Sequence, residues 1–194
     1  MALMKKILFL GYDRTKTVLI DQLIKENCQI EHTSDHFEYR KYDLVICFGY
    51  NKIITSEAIS KLNCPIINLH ISLLPHNKGA HPNFWSFYDN TESGVTIHEL
   101  DDDIDTGPII FQRKIKFDIK TMTFKETYNI LINEIQKLFV EHIQEIVSLN
   151  WISYPQEKIG KKYRKCDLPK AFGGWNTIIF DEIERLKKLE NRYP

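Results

Sequence analysis

The first half of the chain alternates short apolar runs with polar segments that carry apolar residues at helical spacing. The two strongest runs, residues 6–11 and 43–49, are nearly continuous, which is typical of strands buried on both faces of a parallel sheet. The predicted strands cover residues 6–11, 28–32, 43–49 and 65–69, and the predicted helices cover residues 14–27 and 55–62. This alternation predicts an α/β fold with a mostly parallel central sheet flanked by helices.

The second half contains two more predicted strands and several predicted helices. A short aromatic helix follows Pro82, and strands are predicted over residues 94–100 and 108–117. Thr123 and Glu126 form a capping-box pattern at the start of a long helix with clean helical periodicity. The apolar stripe of this helix consists of Phe124, Tyr128, Leu131, Ile135, Leu138, Phe139, His142 and Ile146. A charged helix is predicted after Gly173-Gly174, with the stripe Ile179, Ile183, Leu186 and Leu189.

Length and composition limit the organisation and the partners. Because 194 residues fit one domain and no repeat or linker divides them, we expect a single domain over residues 1–194, with residues 151–194 as an appended basic loop and helix. The 26 basic residues balance 26 acidic ones, so no overall field attracts nucleic acid or a membrane surface. No apolar run approaches the roughly 20 residues of a membrane span. Four widely spaced cysteines without a CxxC pair predict reduced thiols and a cytoplasmic protein.

Three polar residues suited to acyl transfer lie at the end of the fourth predicted strand and in a later turn. Asn68 and His70 are two positions apart, so their side chains leave the strand on one face, at the edge where α/β sheets bind ligands. Asp105 lies in an Asp-Thr-Gly turn. An amide donates to an oxyanion, an imidazole transfers a proton, and a carboxylate orients the imidazole. The residues alone leave open that Asn68 and His70 are merely structural.

Two common ligand-binding patterns are absent from the sequence. A single glycine, Gly11, follows the first predicted strand, whereas a dinucleotide-binding loop needs several for its tight turn. The acidic run 101–105 lacks the alternating ligands and distal glutamate of an EF-hand, and a solvated turn is its other interpretation. We therefore expect neither a nicotinamide or flavin nucleotide nor a metal ion.

Several separated motifs resemble the catalytic domain of 10-formyltetrahydrofolate-dependent N-formyltransferases. In chain order they are Asn68-x-His70-x-Ser72-Leu73-Leu74-Pro75, Lys78-Gly79, Gly94-Val95-Thr96-x-His98 and Asp105-x-Gly107. The resemblance implies a Rossmann-like fold and attack by an unprotonated amine on the formyl carbon. It also implies that Asn68 and a protonated His70 stabilise the oxyanion, while Asp105 orients His70 and helps to move the proton of the amine. His98 matches a recurrent histidine of the family, for which functional and structural roles stay equally open.

The resemblance further implies where the formyl donor, 10-formyltetrahydrofolate, binds. One edge of the folate site matches the segment after Gly49, through Tyr50, Lys52, Ile53 and Ile54. The wall that receives the pterin, largely through backbone groups, matches Leu100, Asp101, Asp102 and Ile104. We therefore expect the folate between these two segments.

The segment 79–87 resembles the family branch that acts on nucleotide-linked amino sugars. Between residues 158 and 170 lie six basic residues and one acid, and such a cluster in a neutral chain suits a diphosphate. A solvated basic loop is the alternative interpretation of this cluster. The predicted acceptor-binding residues are Gly79, His81, Asn83, Lys162, Tyr163 and Arg164, with Tyr163 as a base-stacking candidate. We expect the acceptor to be the primary amine of a nucleotide-diphosphate amino sugar.

Other functions stay open on the sequence alone. The same chemistry would formylate glycinamide ribonucleotide in purine synthesis or a carrier-bound amino acid. A non-catalytic folate- or nucleotide-binding module is a further alternative, although binding alone does not require Asn68, His70 and Asp105 together. The neutral charge, and the lack of the C-terminal domain of transfer-RNA formyltransferases, argue against transfer RNA. The long amphipathic helix after Thr123 is a candidate surface for a homo-oligomer.

Overall fold

The computed structural model describes residues 4–157 and 160–191 of the chain. Its strands are β1 (Lys6–Gly11), β2 (Gln29–Thr33), β3 (Leu44–Phe48), β4 (Ile66–His70), β5 (Lys78–Gly79), β6 (Ser93–Glu99), β7 (Ile109–Ile115) and β8 (Lys162–Tyr163). Six of them form the main sheet in the order β2-β1-β3-β4-β6-β7. The strands β2, β1, β3 and β4 are parallel to one another, and β6 runs antiparallel to both of its neighbours, β4 and β7. The predicted α/β class with a mostly parallel sheet and flanking helices is confirmed.

Helices cover both faces of the main sheet. They are α1 (Leu19–Lys25), α2 (Ser56–Leu62), α3 (Pro82–Tyr88), α4 (Phe124–Glu141), α5 (Ile143–Ser148) and α6 (Ile179–Glu190). Because side chains alternate along a strand, Phe9 of β1 packs with α1 and α4, whereas its neighbours Leu8 and Leu10 pack with α2 on the other face. The central strands are therefore apolar at successive positions.

Two helices differ from the predicted pattern. The first helix begins at Leu19, later than predicted, because residues 14–17 form a turn in which the Lys16 and Thr17 N–H groups donate to the Asp13 carbonyl. The long helix ends at Glu141, and α5 starts after His142, whose backbone leaves the helical region. The His142 ring stacks on Phe111 of β7 with ring centroids 3.8 Å apart. Periodicity alone did not show this break, since the apolar stripe continues through it.

The small parallel sheet of β5 and β8 was not predicted. It pairs Lys78 with Lys162 and Gly79 with Tyr163, so the C-terminal segment is tied to the loop that follows β4. A third apolar cluster joins α3, the start of α4 and α6 through residues such as Phe84, Phe124 and Ile183. Residues 161–190 are thereby packed against the rest of the fold.

In the described ranges, no helix combines the length and the apolar character that crossing a membrane requires.

Candidate active site

The polar residues of β4 and β6 meet on one face of the sheet. Asn68 lies directly opposite His98 in the antiparallel pairing of β4 with β6, and His70 is two positions further along β4. The intervening Leu69 and its partner Ile97 point to the opposite face, into the core below α1 and α4. The predicted common face of Asn68 and His70 is therefore present, and strand pairing adds His98 to it.

Asp105 lies at the centre of this cluster. Its carboxylate accepts hydrogen bonds from the Gly79 backbone N–H at 2.7 Å and from Asn68 Nδ2 at 3.2 Å. His70 Nδ1 is 3.5 Å from Oδ2, and His98 Nε2 is 3.4 Å from Oδ1. Asn68, His70, His98 and Gly79 thus converge on one buried carboxylate from three segments of the chain.

The surroundings of Asp105 favour its charged form. Burial by itself would raise the pKa of the carboxyl group, but a positive charge on His70 or His98 and the hydrogen bond from the Gly79 N–H outweigh it and hold the pKa well below its usual range. A permanently ionised carboxylate beside two imidazoles can orient either ring and stabilise a proton that arrives on it.

His70 is held by acceptors on both sides. Its Nε2 lies 3.2 Å from the Asn77 carbonyl, which only accepts, so this nitrogen carries a hydrogen and Nδ1 faces Asp105. Burial lowers the pKa of His70, and the Asp105 charge opposes this effect without cancelling it. The resting imidazole is therefore more readily neutral than a histidine in water.

His98 has a defined tautomer. Its Nδ1 lies 2.8 Å from the Glu99 carbonyl and must donate to it, which leaves Nε2 to accept from Asn68 Nδ2 at 3.1 Å. The residue is fully buried, at 0 % exposure. Its side chain fixes the amide of Asn68, so His98 belongs to the cluster, although it is buried as a structural histidine would be.

A side-chain amide and a close backbone approach hold the loop that carries Asp105. The Gln156 side-chain amide donates to the Asp105 and Gly107 carbonyls, each at 2.9 Å. A Cβ at Gly107 would lie 1.9 Å from the Glu99 carbonyl oxygen, so only glycine allows this close approach. Asp105 itself has a φ of 54°, a left-handed conformation that aspartate tolerates better than most residues.

Sequence reasoning missed Gln156, Asn77 and the role of the Gly79 N–H. Gln156 had no detectable signal, because its partners are about fifty residues away in the chain. Asn77 and Gly79 did carry one, since asparagine and glycine are the residues that most readily take the positive φ angles observed there, 54° and 83°. That pattern marks a tight turn that brings backbone groups to the site.

The two segments predicted to bind folate lie on the same face of the sheet as the cluster around Asp105. Tyr50, Ile54 and Leu100 pack against one apolar cluster, which the even-numbered residues of β1 also enter. Lys52 forms an ion pair with Asp35, and Ile53 is 79 % exposed.

The acidic part of the predicted pterin wall is mostly exposed. Asp101 accepts from the Thr106 hydroxyl at 2.6 Å and from the Asp103 N–H at 3.2 Å, which shapes the loop. Asp102 is exposed, and Ile104 presents 42 % of its surface to solvent.

The predicted acceptor residues of the segment 79–83 lie in different surroundings. Gly79 lies in the site through its bond to Asp105, and His81 stands beside Trp175 with ring centroids 5.4 Å apart. Asn83 is buried, and its amide donates to the Phe124 carbonyl at 2.8 Å and accepts from Thr127 at 3.1 Å. Asn83 therefore fastens α3 to α4, a structural role that was not predicted from the sequence.

The three predicted residues of the basic segment are engaged within the protein. Lys162 pairs with Asp103, and Arg164 pairs with Asp167 at 3.4 Å. The Tyr163 ring stacks on Trp85 with centroids 3.8 Å apart, and its hydroxyl bonds to Asp89.

Comparison with known proteins gives the family. The model of the family described as Formyl transferase matches residues 13–143, about two thirds of the chain. The chain belongs to the formyl transferase family. The predicted resemblance is thereby confirmed.

Among solved structures of the family, the chain is similar to the formyltransferase PseJ from Anoxybacillus kamchatkensis, determined in complex with UDP-4,6-dideoxy-4-formamido-L-AltNAc and tetrahydrofolate. The two are 35% identical with a TM-score of 0.83, and the match covers 90% of this chain and 96% of PseJ.

The curated formyltransferases that this chain matches are longer than the chain. The dTDP-4-amino-4,6-dideoxyglucose formyltransferase of Mycobacterium tuberculosis is 34% identical over 106 residues, 55% of this chain and 44% of the relative. The methionyl-tRNA formyltransferase of Lachnospira eligens is 30% identical over 161 residues, 81% of this chain and 50% of the relative. The chain thus spans about half the length of the curated formyltransferases it matches.

Proposed function

We propose that this formyl transferase moves the formyl group of 10-formyltetrahydrofolate to the primary amine of a nucleotide-linked amino sugar. The convergence of Asn68, His70 and His98 on the ionised Asp105 carries the proposal, because it supplies a donor, a proton acceptor and an orienting charge at one point. The similarity to PseJ, whose complex holds a formamido sugar nucleotide and tetrahydrofolate, supports the choice of donor and acceptor.

The reaction is an acyl transfer through a tetrahedral intermediate. The lone pair of the neutral amine forms a bond to the formyl carbon, and the carbonyl electrons move to oxygen. Collapse of this oxyanion breaks the bond between the carbon and N10 of the folate. The proton lost by the amine ends on N10, so tetrahydrofolate leaves neutral at that nitrogen and the sugar carries a formamide.

The Asn68 amide is the proposed oxyanion donor. Its nitrogen has two hydrogens, of which one donates to Asp105 and the other faces His98 Nε2 at 3.1 Å. As charge develops, this second hydrogen exchanges His98 Nε2 for the oxyanion as its acceptor. Asp105 holds the other hydrogen throughout, so the amide keeps its place and only one hydrogen bond is exchanged.

His70 is the proposed proton carrier. Burial favours its neutral form at rest, so Nδ1 has a lone pair that accepts the proton of the attacking amine. The cation that results is stabilised by Asp105 Oδ2, 3.5 Å away, and then stabilises the oxyanion before passing the proton to N10. The protonated His70 expected from the family is thus formed during the reaction.

The donor side fits a flat, amphipathic folate. Tyr50, Ile54 and Leu100 give an apolar base on the catalytic face, and Ile53 and Ile104 leave apolar surface open beside it. A pterin and its benzoyl ring would cover such surface, and the backbone groups of the loop before Asp105 would meet the polar pterin edge.

We also assign the enzyme to the cytoplasm and regard the described chain as one folding unit. The four cysteines are unpaired, as is usual in a reducing compartment. The pairing of β5 with β8 ties the C-terminal segment to the catalytic loop.

A panel of amines tests the proposed function. The protein is incubated with 10-formyltetrahydrofolate and UDP- or dTDP-linked amino sugars, glycinamide ribonucleotide, methionyl-tRNA, or a carrier-bound amino acid. We expect the mass gain of one formyl group on an amino-sugar nucleotide, and no gain for His70→Ala. Turnover of another amine alone would replace the acceptor assignment, and folate binding without turnover of any amine would contradict the enzymatic one.

A further inference from the structure

The basic segment 161–170 offers fewer open cations than its sequence suggests. Lys161 pairs with Asp89 at 2.9 Å, and Lys162 and Arg164 also have carboxylate partners. Within the part of this segment that the structure describes, Lys165 and Lys170 form no ion pair, and Lys165 lies near enough to His81 to lower the pKa of that imidazole, after the larger effect of burial. Lys165 is therefore an exposed, open cation in the region of His81.

Trp175 is the open aromatic surface of the same region. It is 39 % exposed, yet its position is fixed by Phe172, whose ring centroid lies 4.8 Å away, and by the bond from the Lys125 N–H to the Trp175 carbonyl. Its ring is tilted by 38° against His81. Tyr163, in contrast, has one face covered by Trp85.

The backbone connects this aromatic pair to the catalytic carboxylate within three residues. The Gly79 N–H bonds to Asp105, the Ala80 N–H bonds to the Tyr163 carbonyl at 2.8 Å, and His81 follows. Two residues of chain span at most about 7 Å, so the His81 backbone lies within that distance of Gly79, which bonds to the carboxylate, and Trp175 stands next to His81. A ligand that presents its amine to Asn68 and His70 would place a group several bonds away over Trp175.

We propose that Trp175 and His81 hold the nucleobase of the acceptor and that Lys165 binds its diphosphate. The inference rests on the proposed function and gives its acceptor side a subsite. The indole offers a planar face for base stacking, neutral His81 flanks it, and Lys165 supplies charge where the diphosphate must pass. Trp175 and Lys165 both lie beyond residue 143, where the match to the family model ends.

Two substitutions separate the two parts of the subsite. For Trp175→Ala we expect the KM for the amino-sugar nucleotide, and the Kd for UDP, dTDP and uridine, to rise about tenfold or more. The kcat and the KM for the folate should stay unchanged, and Trp175→Phe should retain most of the affinity. For Lys165→Ala, the affinity for UDP should fall toward that for uridine, while uridine binding should not change.

Phe180→Ala is the matched control, because Phe180 is 40 % exposed in the same C-terminal segment and its ring lies beneath Lys120, whose Nζ is 5.8 Å from the ring centroid. Binding is measured by calorimetric titration of the full chain, and circular dichroism checks the fold of each variant.

Equal KM and Kd values for Trp175→Ala, Phe180→Ala and the wild type would overturn the subsite, as would a wild type that binds neither UDP nor dTDP. If the wild type binds a nucleotide but formylates no amino-sugar nucleotide, the proposed function fails while the Trp175 and Lys165 variants still decide the subsite. A misfolded Trp175→Ala leaves the decision to Lys165→Ala, whose side chain is exposed.

Discussion

The cluster around Asp105 and the C-terminal segment 161–175 differ in how their polar groups are held. Asn68, His70, His98 and Asp105 are held by strand pairing and by a buried carboxylate, so their geometry is rigid and their charges are screened little. The segment 161–175 is largely exposed, and most of its cations sit in ion pairs at the surface. In the proposed function, the first region performs the chemistry and lies within residues 13–143, which the family model matches, whereas Trp175 and Lys165 of the second region contribute to acceptor binding and lie beyond that match.

Asp105→Asn should give the largest effect and should act on the chemistry alone. The amide keeps the shape of the carboxylate but removes the charge that stabilises a proton on His70, so we expect kcat to fall about a thousandfold. Steady-state kinetics with the amino-sugar nucleotide check this, and Asp181→Asn, at an exposed position on α6, is the control. A kcat within tenfold of the wild type would remove Asp105 from the mechanism.

Gly79→Ala should damage both regions together, because Gly79 joins them. Its φ is 83°, and a Cβ there would lie 2.2 Å from the Tyr163 carbonyl oxygen, so β5 and β8 must separate and the bond to Asp105 must weaken. We expect about 1–3 kcal/mol of lost stability and a change in both kcat and KM. Thermal unfolding and steady-state kinetics measure the two effects.

Gly174→Ala is the matched control for this change. Its φ is 107°, but a Cβ there meets no atom within 4 Å, so it carries backbone strain without the clash. Equal effects of the two substitutions on kcat would show that the link between β5 and β8 does not position Asp105.

The titration of His70 gives the smallest but most direct measure of the catalytic region. Burial disfavours its charged form, so the pKa should lie below the ordinary 6.5 of a histidine, and the ring should stay neutral until the pH falls below that value. Asp105→Asn removes a charge that raises this pKa, so the midpoint should move further toward acid. Histidine C2-proton NMR, assigned with His70→Gln, follows both titrations. An upward shift in the variant would contradict the assigned electrostatics.

The fold, and the residues that cluster around Asp105, could be predicted from the sequence to a large extent. Apolar runs such as 43–49 predict buried strands because periodicity is a local property, and the spacing of Asn68 and His70 fixes their common face. The Asp-Thr-Gly turn made Asp105 a candidate, and the match of the motifs to one family implied its role. The start of α1 and the break at His142 escaped prediction, because hydrogen bonds in a turn and a ring stacked on Phe111 decide them.

Contacts between distant parts of the chain decided the rest. The sequence by itself determined which strand positions are apolar and that Asn68 and His70 share a face, and it singled out Asp105 in its Asp-Thr-Gly turn. Only the tertiary structure placed His98 opposite Asn68, buried Asn83, paired Lys162 with Asp103 and left Trp175 open beside His81. The physical reason is that residue type and spacing encode local conformation, whereas the partner of a charge or an aromatic ring depends on which segments the fold brings together.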